Sequence, residues 1–350
     1  MPKLRPFEPA IVITSIFEPS EAVKSYAAIP HHNTIVAGDR KTPSDWSHNN
    51  TTFLSMEDQL SIGIYLHKIL PSNHYCRKLM GYLFAMQNEA NCIVDTDDDN
   101  YPKENWQFPN SAGDFACIED NQGFINTYQL YTDQKIWPRG LPLKKILVKQ
   151  DLDSLISYKP CKVGIWQGLV DGDPDVDAIY RLTDNTPCYF KEREPIVLGE
   201  GTLSPFNSQN TWFCKELFPL LYLPAFVTFR FTDILRGLVA QPIMWSAGYL
   251  LGFTQATVVQ KRNEHDFLKD FISEIPVYQH ADEIIEITQS AVKSGQSISD
   301  NLTNVYEALF RRNIVIAKEL EVLDAWLKDV QEIEKNCLTG AGITSDKVLL

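Results

Sequence analysis

The chain has 350 residues, 44% of them hydrophobic and 22% charged, with a formal net charge of -13 at pH 7. That balance fills a sizeable globular core, in one large α/β domain or two smaller ones. The acidity and the lack of a Lys/Arg-rich block argue against nucleic acid and anionic membrane as partners. An anionic small substrate stays open, because a metal or a few local cations reverse the field within one cleft.

No run of about 18 apolar residues encodes a membrane span, and the N-terminal stretch lacks the long apolar region of a signal peptide. The seven cysteines are scattered with no CxxC pair, which argues against a zinc ribbon and for free thiols in a reducing compartment. A cytoplasmic location is expected, with a Golgi or secretory lumen as the alternative.

In chain order, "AIVITSIF" (10–17) reads as a buried strand broken by Glu18-Pro19. A short helix follows over 20–29 with Ser20 as its N-cap, then a second strand over 33–39 that ends on Asp39. The segments 55–70 and 75–90 read as helices, the first capped by Ser55. The next strand carries "CIVDTDDDN" (92–100). This βαβαβ rhythm predicts a parallel sheet covered by helices, whose ligands lie beyond the C-terminal strand ends. From 101 to 240 we expect mixed strands and long loops, with strand passing into helix near Thr232. From 281 to 336 the pattern is helical, with a loose tail after Gly340.

Asp95, Asp97, Asp98 and Asp99 fall within five positions. Three explanations compete: a solvated acidic loop, a calcium loop, which the lack of glycine disfavours, and a D-x-D site for Mg2+ or Mn2+ with phosphate oxygens completing the shell. The last is preferred, because carboxylates sharing a site resist joint ionisation and a divalent cation removes that conflict. Arg77 and Lys78 begin the preceding helix, where they oppose its macrodipole and suit a phosphate. Asp233, in "FRFTDILRG", suits a first helical turn or a general base, with Arg230 and Arg236 on either side. Asp171, Asp173, Asp175 and Asp177 are expected in a solvated turn around Gly172 and Pro174. Trp166 and Trp212 are expected to be buried.

"IVITSIFEPSEAV", "VAGDRKTP", "RKLMGYLFAMQ" and "VDTDDDN", followed by "RFTDILRG" and "RNEHDFLKDF", resemble the STELLO family of glycosyltransferase-like proteins over about residues 8–280. The resemblance implies an α/β fold of GT-A type. It has a Rossmann-type mixed sheet flanked by helices, and a C-terminal helical region. A nucleotide-sugar domain would span 1–280, with its nucleotide half over about 8–110 and its acceptor half over about 111–280. A helical extension and tail would occupy 281–350.

The resemblance further implies that Asp39, Arg77 and Lys78 lie near the nucleotide, with Arg230 available to phosphate. Asp97 and Asp99 would hold Mn2+ or Mg2+ together with His265; His74 and His280 are the alternatives. Asp95 and Asp98 would orient or contact the sugar. Read from the residues alone, Asp233 would be the base for an inverting reaction, and Arg230 or Arg236 beside it would bind phosphate or steady Asp233. The expected activity is metal-dependent transfer from a nucleoside diphosphate sugar, UDP by preference, to a carbohydrate or other hydroxyl acceptor. The alternatives are a UDP-sugar mutase resembling the UDP-arabinopyranose mutases, and a non-catalytic scaffold of the same fold. The C-terminal helices offer a surface for self-association.

Overall fold

The computed structural model describes residues 4–261 and 266–338. Its strands are β1 (Ala10–Thr14), β2 (Asn33–Ala37), β3 (Thr51–Leu54), β4 (Cys92–Thr96), β5 (Asn100–Pro102), β6 (Ala112–Ile118), β7 (Gly123–Phe124), β8 (Ile156–Asp171), β9 (Ile196–Leu198), β10 (Thr202–Leu203), β11 (Asn210–Cys214) and β12 (Leu250–Gln260). Its α-helices are α1 (Glu21–Ala27), α2 (Lys78–Gln87), α3 (Ala178–Thr183), α4 (Thr232–Ser246), α5 (Phe267–Ala291), α6 (Ile298–Arg311) and α7 (Ala317–Leu338).

Ten strands form one mixed sheet in the order β3-β2-β1-β4-β11-β8-β6-β9-β12-β5, and β7 pairs separately with β10. The strands β3, β2, β1 and β4 run parallel, which brings the ends of β1, β2 and β4 to one edge. β11 is antiparallel to both β4 and β8, so β8 points the same way as β4. β12 runs parallel to β8 and ends at the same edge. The mixed sheet, flanking helices and C-terminal helical region are consistent with a GT-A-like fold.

β1 is an unbroken apolar run because it is covered on both faces, as parallel strands usually are. Ala10 and Val12 join the large core beneath α2, while Ile11 and Ile13 pack with Val23, Tyr26 and Trp106 on the α1 side. The approach of α2 to β1 is close enough that a Cβ at Gly81 would lie 2.6 Å from Val12 Cγ1. A side chain there would push the helix off the sheet.

Three expected elements differ. The segment 55–70 is not a helix but two short 3-10 turns, Asp58–Ser61 and Leu66–Lys68. Gly63 breaks it at φ +70°, and the amides of Ile64 (2.6 Å), Tyr65 (3.1 Å) and Leu66 (2.8 Å) donate to the Asp329 carboxylate on α7. A helix would have consumed those amides internally. Next, residues 226–231 form no strand; a 3-10 turn, Phe229–Phe231, leads directly into α4. Finally, the helical C-terminal region begins earlier than position 281, since α5 starts at Phe267 and runs through that point.

α7 is tied down at a second place. The Glu319 carboxylate, fully buried, accepts from the amides of Ala225 (3.0 Å) and Phe226 (2.7 Å) and from the Tyr222 hydroxyl. The helix thus fastens the loop before Tyr75 and the loop before α4. No described helix is long and apolar enough to cross a membrane.

Candidate functional site

The acidic loop leaves β4 in the middle of the sheet and is pinned on both sides. Thr96 Oγ1 (2.7 Å) and Asn100 Nδ2 (2.9 Å) both donate to the carbonyl of Gln209, just before β11. Ser20 caps α1, accepting from the Val23 amide at 3.1 Å, and its own hydroxyl donates to the Asp98 carbonyl at 2.5 Å. The Ser15 hydroxyl, at the end of β1, donates to the Asp98 side chain. The expected cap and the expected strand end therefore meet at this loop.

The four acids have different surroundings. Asp95 is fully buried, and each of its oxygens faces a cation: Lys78 Nζ at 2.7 Å and Arg236 Nη1 at 2.7 Å. Asp97 is 27% exposed and uses one oxygen, Oδ1, to accept from Lys78 Nζ (2.9 Å) and from the Tyr75 hydroxyl (2.8 Å). Its Oδ2 takes no hydrogen bond from the described residues. Asp99 accepts from Gln260 Nε2 at 2.9 Å, at the end of β12. Burial raises the Asp97 and Asp98 carboxyls above the ordinary range; Lys78 and Tyr75 pull Asp97 back, as Ser15 does Asp98. Burial opposes the Lys78 charge, but Asp95 and Asp97 outweigh it and hold the ammonium protonated.

The expected companions divide into two groups. Lys78 and Arg236 arrive at the acids. Asp39 instead accepts from the amides of Arg40 (2.7 Å) and His74 (2.9 Å), joining the end of β2 to the turn before α2. Arg77 turns towards Gln59 and the Leu70 carbonyl. His74 caps that turn by accepting from the Cys76 amide at 3.1 Å, and His280 lies 3.1 Å from Glu283 on α5. His265 falls outside the described residues.

Asp233 and Arg230 belong to a second buried ionic chain. Arg139 forks onto Asp233 (3.1 and 3.0 Å) and onto Asp175 (2.9 and 2.7 Å). Arg230 bridges Glu274 at 2.8 Å and Asp175 at 3.6 Å. Both Asp233 oxygens are engaged by the Arg139 fork, and Oδ2 also accepts from the Ser208 amide at 3.3 Å. The turn at 171–177 is no solvated loop: Asp171, Asp175 and Asp177 are buried. Asp171 pairs with Lys103 at 2.6 Å, Asp173 pairs with Arg181, and Asp177 caps α3 through the Tyr180 amide at 3.0 Å. Trp166 is buried and Trp212 half-buried. Reading by residue type overlooked Tyr75, Ser15, Gln260 and Arg139, which carry no local signal; the fold brings them in from separate elements.

A concavity of about 630 Å³ lies along β12 beside Asn105, Phe108, Glu192, Thr254 and Gln255, and none of residues 95–99 lines it. Among the described residues, no group of three or more His, Cys, Asp or Glu side chains surrounds a common point. Mg2+ and Mn2+ do not need one, since a single carboxylate or two with phosphate oxygens and water hold them. The open Oδ2 of Asp97 fits that mode, with Asp98 beside it.

Comparison with known proteins gives the following likenesses. The family model for STELLO glycosyltransferases matches residues 230–338, which contain Arg236, Asp233 and helices α4 to α7. The chain is 27% identical over 339 residues to "Probable glycosyltransferase STELLO1" of Arabidopsis thaliana, covering 91% of this chain and 44% of that protein. It is also 27% identical over 346 residues to "Probable glycosyltransferase STELLO2" of the same plant, with the same coverage. The chain spans less than half the length of these curated relatives. The chain is thus similar to STELLO glycosyltransferases, by the family model over residues 230–338 and by these two relatives over most of its length.

Proposed function

We propose that the chain is a metal-dependent glycosyltransferase that uses a nucleoside diphosphate sugar, with UDP the preferred nucleotide, as donor to a hydroxyl acceptor. The observation that carries this reading is Asp97: a carboxylate at the C-terminal end of a central parallel strand, steadied on one oxygen and open on the other. Ligands of open α/β sheets bind at that edge. Asp97, with Asp99 or Asp98, would hold Mn2+ or Mg2+, and His265 remains a candidate third ligand. When bound, the metal offsets charge on the departing diphosphate. Ser15, Ser20 and Asn100 fix the loop so that the acids need not reorganise as that charge develops. Asp39, Arg77 and Arg230 are assigned a supporting role around the nucleotide, each acting from its present partners.

The test is calorimetry with UDP, with and without Mn2+, on the wild type and on Asp97→Asn. Metal-dependent UDP binding that disappears in the variant, with the melting temperature retained, supports the reading. Equal UDP binding by both proteins refutes it.

A further inference from the structure

Repulsion within the acidic loop is relieved by the protein itself. Two carboxylates, the fully buried Asp95 and the partly exposed Asp97, face two buried cations, Lys78 and Arg236, and these side chains form one connected ion cluster. Lys78 is the member shared between the two acids: its ammonium, fully buried, lies 2.7 Å from Asp95, 2.9 Å from Asp97 and 2.9 Å from the Tyr75 hydroxyl. Asp95 also has Arg236 and does not depend on Lys78 alone. Among the described residues, Asp97 has no cation but Lys78.

We propose that Lys78 is a built-in counter-ion that competes with the divalent cation for Asp97. With the site empty, the ammonium shares itself between the two acids. When a divalent cation takes Oδ2 of Asp97, like-charge repulsion drives the ammonium away from Asp97 and onto Asp95, where it already has a partner. Such repulsion is strong where water is excluded. Lys78 therefore keeps the affinity for free metal low and makes retention of the cation depend on the diphosphate that accompanies it. This inference rests on the reading of Asp97 as a metal ligand.

The experiment is titration with Mn2+ alone, followed by the electron paramagnetic resonance signal of the free ion. It compares wild type, Lys78→Met, Lys78→Arg and Asp97→Asn, with folding checked by circular dichroism. Lys78→Met is expected to bind Mn2+ at least about tenfold more tightly, Lys78→Arg to stay near wild type, and Asp97→Asn to lose the site. A purely structural lysine gives the opposite result, because its removal would free the Asp97 side chain and weaken binding. Unchanged or weaker binding in Lys78→Met, with Asp97→Asn still inactive in binding, overturns the counter-ion role and leaves the metal site standing. Binding untouched by Asp97→Asn overturns the metal-site reading as well. If Lys78→Met does not fold, Lys78→Met combined with Asp95→Asn removes one cation and one anion together. Its affinity, compared with Asp95→Asn alone, must show the same gain.

Discussion

Two sets of carboxylates in this molecule, one at the sheet edge and one on α7, are stabilised by different means. At the sheet edge, Asp95 and Asp97 face Lys78 and Arg236. On α7, Asp329 and Glu319 are each held by backbone amides, with a hydroxyl added for Glu319. Amides bring no net charge and cannot leave, so the α7 carboxylates act as fixed clasps between the last helix and two distant loops. Ammonium and guanidinium groups are mobile and carry full charge, so the edge cluster can rearrange when another ion arrives. One arrangement suits permanence and the other suits a site. The two are mechanically linked, because the clasped loops lead to Lys78 on α2 and Arg236 on α4.

Breaking the edge cluster should cost most. Arg236→Met leaves Asp95 fully buried with Lys78 as its single cation, and a loss of about 3–5 kcal/mol is expected by urea denaturation. A loss below about 1 kcal/mol would show that Asp95 does not depend on that pair.

Next comes a carboxylate of the neutral-donor kind, Asp177, which accepts from the Tyr180 amide and Trp137 Nε1. Burial raises it to about 6 despite those bonds. An unfolded Asp titrates near about 4, so between these values the native state holds a proton that the unfolded chain releases. Its contribution is full below about 4 and is lost as pH rises through about 6, a change on the order of 3 kcal/mol. The stability difference between wild type and Asp177→Asn should therefore shift in favour of the variant from pH 4 to pH 6, roughly the window given by those two values. A difference independent of pH would remove Asp177 from this class.

A clasp should matter less than the edge cluster. Asp329→Asn replaces an acceptor shared by three amides with a group that satisfies fewer, at about 1–3 kcal/mol. Faster hydrogen exchange at Ile64 to Leu66 is expected, and unchanged exchange would mean that the loop is held by other contacts. The smallest effect is expected for Ser20→Ala, about 1 kcal/mol, as is usual for a lost N-cap. This substitution also removes the hydroxyl that fixes the Asp98 carbonyl. It should therefore weaken Mn2+–UDP binding more than a cap substitution distant from the site, such as Ser297→Ala on α6.

Much of the N-terminal parallel part of the sheet was legible in the sequence. The strands within the apolar runs at 10–17 and 33–39, the Ser20 cap and the acidic strand exit all reflect local patterns of burial and capping, which require no distant partner, although β1 ends at Thr14 and leaves Ile16 and Phe17 exposed. The segment 55–70 misled because its apolar spacing fits a helix, whereas Asp329, 265 positions away from Ile64, claims its amides. The turn at 171–177 misled because charge and glycine suggest solvent, while Arg139, Arg181 and Lys103 come from elsewhere to bury it. Among the site residues, Lys78 and Arg236 were identified by type and position, but their destination could not be read.

By itself the sequence determined that a parallel strand would deliver four acids to a sheet edge, since alternation, β-branching and strand-breaking residues act over a few positions. Only the tertiary structure decided how those acids coexist. Arg236 on α4 stands 141 positions from Asp95 on β4, and only the fold brings the two within 2.7 Å. Charge compensation depends on distance in space, which the chain sets only once it is folded. The cation first expected of a metal is therefore supplied in part by the protein's own side chains.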